Sequence, residues 1–220
     1  MKLRRVAVGA VLVTIALSGC GGSSSTSSSS TAKATTAASG TESESGAVAL
    51  PPRTPAALRG VHGGVLRAGD LAGYVPRGYS PPATSAQSWV AEFPPAQRAP
   101  EAARLKATGF VAGISEHLAP TNGGGEAISV VERFRSAAGA TGEVAAQLKQ
   151  AVGRHENAFA VTGIPGARAW GFDGKPPDAN VAFAVGPYYY LVGFGSSGVG
   201  APTHAQLIAA AQRLYGRVRG

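Results

Sequence analysis

Beyond Gly109 the apolar residues stop recurring at helical spacing and begin to alternate, and this change limits the possible folds more than any other feature. Phe110, Ala112 and Ile114 alternate with Val111, Gly113 and Ser115, which is the period of a strand. Thr121 to Gly125 has turn composition, and Ala127 to Phe134 returns as the hairpin partner, with Ile128, Val130 and Phe134 on one face. A second run of strands occupies Ala158–Val161, Ala167–Phe172, Val181–Val185 and Tyr188–Phe194. Ile164-Pro165-Gly166 separates the first two and suits a turn with Pro at its second position and Gly at its third. The Asp173–Asp178 loop and Gly186-Pro187 separate the others. Strands joined by such short links pair antiparallel.

Helical stretches interrupt this series. Val65 to Tyr79 reads as a short extended lead-in with turns, and then Thr84 and Gln87 stand at capping-box spacing. The helix they open turns Trp89, Val90 and Phe93 inward and stops at Pro94-Pro95. Ala96 to Thr108 is a second helix, interrupted early by Pro100, with Ala102 and Leu105 inward. Ser136 caps a third, with Val144, Leu148 and Val152 on its buried side and its end near Gly153. Thr203 and Gln206 form another box, before a stripe of Leu207, Ala211, Leu214 and Val218. Arg213, Arg217 and Arg219 close that helix, where its dipole favours cations. The expectation is an α+β fold: an antiparallel sheet of about five to six strands covered by helices as an α/β sandwich.

The first sixty residues cannot join that sheet. Gly21 to Gly46 is mostly Ser and Thr, and so offers too little apolar surface to offset the entropy of ordering. Pro51, Pro52 and Pro55 stiffen the approach to the domain. As a coil, this stretch has a root-mean-square reach of roughly 30–37 Å. The expected organisation is a leader over 1–19, a tether over 20–59 and one globular domain over 60–220. About 160 residues bury roughly 70% of their extended-chain surface, enough for a core without disulfides or metal.

Lys2, Arg4 and Arg5 precede the apolar run Val6–Ala16, and small residues then lead to Cys20, the only cysteine. This charge–apolar–small order is that of a secretory leader, and the run falls short of the about 20 residues a spanning helix needs. Leu17-Ser18-Gly19-Cys20 resembles the lipobox of bacterial lipoproteins. That resemblance implies cleavage before Cys20, a diacylated thiol and attachment to the membrane, and two acyl chains are what stable anchoring requires. Loss of the leader would lower the net charge from +8 to near +5. The remaining basic residues are scattered, which argues against a nucleic-acid partner. The strand and helix order, with Phe134-Arg135-Ser136-Ala137-Ala138-Gly139-Ala140 after the second strand, resembles a group of actinobacterial surface lipoproteins. These are similar in turn to the PsbP-like α/β sandwich, and the resemblance supplies no catalytic residues.

Gly193 to Gly198 matches G-x-G-x-x-G, but the helix waits until Thr203 and no strand with an acid comes after it, so a dinucleotide site is not implied. Ser197 and His204 are the hydrolase alternative, with an acid from upstream completing a triad. No His pair has metal-binding spacing, while Asp173, Asp178 and Asn180 offer oxygens in one loop. Glu116 and Glu132 lie on neighbouring strands and form a conceivable glycosidase pair. Tyr188, Tyr190 and Trp170 are the candidate ligand-binding residues, as aromatics lining a cleft for an apolar or sugar ligand. The sequence therefore points to a non-enzymatic extracytoplasmic domain without cofactor, held at the membrane by lipid on Cys20. It would bind an apolar ligand, a lipid among them, or an envelope protein. Replacing Cys20 with Ala should move the protein from the detergent phase to the aqueous phase of a Triton X-114 extraction, whereas retention in the detergent phase would exclude the lipid anchor.

Overall fold

The computed structural model describes residues 64–122, 125–172, 178–195 and 202–220. The expected leader, Cys20 and the 20–59 tether lie outside the described residues, as do Asp173 and Ser197. Among the described residues the strands are β1 (Tyr74–Tyr79), β2 (Phe110–Pro120), β3 (Ala127–Phe134), β4 (Asn157–Phe159), β5 (Arg168–Phe172), β6 (Asp178–Val185) and β7 (Tyr188–Gly195). The helices are α1 (Ala86–Trp89), α2 (Pro95–Thr108), α3 (Ala137–Gly153) and α4 (His204–Val218).

All seven strands form one sheet in the order β1-β2-β3-β7-β6-β5-β4, and every adjacent pair is antiparallel. Two meanders, β1–β3 and β4–β7, therefore meet through their last strands, and β3 and β7 lie at the centre. The sheet gains a strand over the expectation because β1 forms from the lead-in. Its alternation is obscured by Pro76 and by Gly78, where the pairing register shifts. Proline is tolerated there because β1 is an edge strand.

Local sequence sets the helix ends. The first capping box is one residue later than the Thr84/Gln87 reading: Ser85 Oγ accepts from Ser88 N at 3.1 Å, and Ser88 Oγ accepts from Ser85 N at 3.2 Å. The Thr203–Gln206 box and the Ser136 cap form as expected. Pro95 starts α2, which runs through Pro100 to a left-handed Gly109 with φ 85°. Pro100 forfeits only one backbone bond near the start of the helix, too little to stop it. In α3, Val144 is buried but Val152 is 54% exposed, while Ala151 is fully buried. A four-residue step overshoots the 3.6-residue turn, so the third member of that stripe rotates outward.

Helices cover both faces of the sheet. On one face α4 presents Leu207, Ala210, Ala211 and Leu214 to Val131, Val181, Phe183 and Tyr190. The segment Val65–Leu71 completes that core and is strapped down by α4. Arg217 donates to both oxygens of Asp70 at 2.7 and 2.9 Å and to Val65 O, while Arg213 donates to Asp70 O. On the other face, α1, the 3-10 turn Val90–Glu92 that follows it, α2 and α3 pack Ala86, Val90, Leu105, Ala140 and Val144 against Phe110, Phe134 and Trp170. Leu214→Ala should cost about 2–5 kcal/mol in urea unfolding, as other fully buried leucines do, whereas Val152→Ala should stay within about 0.5 kcal/mol.

Candidate functional site

Strand alternation sends one set of side chains from β3 and β7 away from α4, and above them the helices do not close on the sheet. A cavity of about 880 Å³ opens between α1, α2, α3 and the strands. Its floor carries Ile128, Val130, Tyr189 and Leu191, with Trp170 from β5. Register places Val130 opposite Leu191 and Glu132 opposite Tyr189 on the paired strands. Trp89, Phe93 and Pro100 form one wall, while Gln147, Gln150 and Arg154 form the other. The volume falls in the ordinary range for small-molecule sites. Gly113 lets α1 approach β2, because a Cβ there would lie 2.9 Å from the Trp89 ring. Phe110 supports the same indole, with ring centroids 6.0 Å apart.

The inner end of the cavity is charged. Arg104 of α2 bonds Glu101 on its own helix at 2.5 and 2.9 Å and pairs through both terminal nitrogens with Glu143 of α3. Gln147 Nε2 adds a bond to Glu143 at 2.7 Å. Burial opposes the Arg104 charge, but its bonds and charge contacts with the two glutamates prevail and hold its pKa above the ordinary value. Glu132 is different. Burial, reinforced by Glu143, pushes its carboxyl well above the usual range, with Arg104 and the Trp89 indole pulling the other way. Its Oε2 has no hydrogen-bond partner, nor does the Tyr189 hydroxyl. Burial and the nearby glutamates keep the Tyr189 phenol protonated. Two buried polar groups left unmatched at the end of a cavity are expensive unless something else meets them.

The expected cleft of Tyr188, Tyr190 and Trp170 does not form. Tyr190 faces α4 and stacks on Phe183 with centroids 5.1 Å apart, and Tyr188 packs against the same core. Parity along β7 sends Tyr189 instead into the cavity beside Trp170. Parity also separates Glu116 from Glu132: Glu116 lies opposite Ser129 and faces α4, so the two carboxylates cannot flank one bond. His204 stacks flat on Phe159, with centroids 4.2 Å apart. Asn180 lines the cavity, as does Asp178 at the start of β6. Ser80 and His117, which the sequence did not bring together, meet at the cavity lining with Oγ and Nε2 2.9 Å apart. No carboxylate hydrogen-bonds the other His117 nitrogen among the described residues, so the third member of a hydrolytic triad is missing there. The Ser80–His117 contact had one sequence signal, the loop at Ser80-Pro81-Pro82 leaving an edge strand. Among the described residues, no cluster of three or more metal-ligating side chains exists, and no helix is long and apolar enough to cross a membrane.

Compared with protein-family models, curated proteins and solved structures, the chain has no significant match.

Glu116, on the α4 face, gives the clearest pH signature. It is fully buried with neither oxygen hydrogen-bonded, and burial raises its pKa to about 7 from 4.5. Tyr79 and Arg217 pull it down, and Asp70 pushes it up. Between those two values the native chain holds a proton that the unfolded chain has lost, so stability falls as pH rises through that window. Relative to Glu116→Gln, the wild type should lose up to about 3 kcal/mol in urea unfolding between pH 4.5 and 7 and little more above it.

Proposed function

We propose that this chain is a lipid-anchored, extracytoplasmic binding domain of non-enzymatic type that holds an amphiphilic molecule between its sheet and α1–α3. The observation that carries this reading is the 880 Å³ cavity, whose floor of Ile128, Val130 and Leu191 is apolar and whose inner end is polar. Each methylene moved from water onto such a floor contributes about 0.8 kcal/mol. The lipobox-like Leu17-Ser18-Gly19-Cys20 and the Ser/Thr-rich stretch after it support work at the envelope surface, where amphiphilic molecules are concentrated. The likeness in layout to PsbP-like surface lipoproteins supports the same placement. Catalysis is not part of this reading.

Both tryptophans of the chain, Trp89 and Trp170, line the cavity. The uncharged dye N-phenylnaphthylamine, added to the full chain in nanodiscs, should therefore bind saturably, one per chain, and quench tryptophan emission. Leu191→Trp, which fills the floor, should abolish that saturable component. Dye uptake no greater than that of empty nanodiscs would refute the reading.

A further inference from the structure

The protein as a whole is basic, with a formal net charge of +8, yet its cavity is acidic. Glu92, Glu101, Glu126, Glu132, Glu156 and Asp178 line it, against the guanidinium groups of Arg104 and Arg154. Both arginines are already committed: Arg104 to Glu101 and Glu143, and Arg154 to Glu156 at 2.7 Å. No cation is left over at the inner end to receive a carboxylate or phosphate. What is left over there is two oxygens able to accept, Glu132 Oε2 and the Tyr189 hydroxyl, on residues 4% and 2% exposed, both without partners. They sit opposite each other on β3 and β7, at the point where the apolar floor ends.

We infer that the cavity selects an amphiphile with a protonated amine as its head group, the ammonium lodging against Glu132 and Tyr189 and the hydrocarbon lying over Val130 and Leu191. This inference rests on the cavity's being a ligand site. An ammonium supplies three donors and no acceptor, which matches two unpartnered oxygens. A carboxylate or phosphate head would bring like charge to the net-negative Glu101–Arg104–Glu143 group with no free guanidinium to answer it. The groups facing Glu132 are Tyr189 from β7, Trp89 from α1, Arg104 and Glu101 from α2, and Glu143 from α3. Burial and Glu143 favour the protonated form of Glu132. An ammonium beside Glu132 favours the carboxylate, so the bound state is a carboxylate–ammonium pair.

Octylamine, octyl glucoside and octanoate share a tail and differ in head, so they separate the head from the cavity. Tryptophan quenching of the full chain in nanodiscs, corrected for empty nanodiscs, should show octylamine bound about tenfold or more tighter than octanoate at pH 7.5. Octyl glucoside should fall between them. Glu132→Gln tests the contact with the head group. That isosteric variant removes a costly buried acid and so should fold, and it should lose most of the amine preference. Tyr189→Phe should weaken octylamine. Equal affinities for the three heads, or tighter binding of octanoate or of the glucoside, overturns the amine assignment while dye binding stands. Failure of the dye and of every octyl ligand removes the binding site itself.

Discussion

Arg104 determines the shape of the candidate site. Helix α2 has little apolar surface with which to grip the sheet, because only Ala102 and Leu105 are buried along it. Its strongest tie runs sideways to α3, through the guanidinium that pairs with Glu101 and Glu143. With Glu143 fully buried, removing either partner would strand a charge, a loss that ordinarily costs about 3–5 kcal/mol. Hydrophobic contact would have drawn α2 onto the strands and filled the space with its own side chains. An ion pair between helices holds the two walls to each other and leaves the floor open. The cavity results from that choice of bond.

The same arrangement explains why polar groups are tolerated so deep. Charges that are mutually paired can be buried without being replaced by apolar groups. Glu132 and Tyr189 are the exceptions, and burial favours the protonated form of both. The opposite face of the sheet contains a comparable exception in Glu116, set among Tyr79, Asp70 and Arg217 where α4 straps down Val65–Leu71. The two buried acids thus serve different surroundings: one borders open space, and the other lies within the packing that fixes the start of the described fold.

Much of the architecture was legible because it rests on local rules. Alternation marked β2, β3 and β7, glycine–proline turns separated the later strands, and Thr203, Ser136 and Gln206 signalled helix starts. The misreadings have equally local causes. Pro76 and Gly78 disguised β1, adjacent serines moved a cap by one residue, and spacing by fours mistook the exposed Val152 for core. The site was less legible because it depends on parity and on distant pairs. Tyr188, Tyr189 and Tyr190 look alike in sequence, and only register against Glu132 decides that the middle one faces the cavity. Arg104 and Glu143 come from separate helices, and no periodicity links them. Ser80 and His117 meet only because an edge strand ends beside β2.

The proposed function depends most on an open space beneath α2 that accepts a charged head at Glu132. A crystal structure with 8-bromooctylamine tests this directly, since bromine is visible by anomalous scattering. The expected result is one bromine peak over the apolar floor near Leu191, the amine nitrogen within hydrogen-bond distance of Glu132, and α2 still held to α3 through Arg104. A structure in which Phe93 and Pro100 rest on Ile128 and Val130, with no bromine between them, would contradict it.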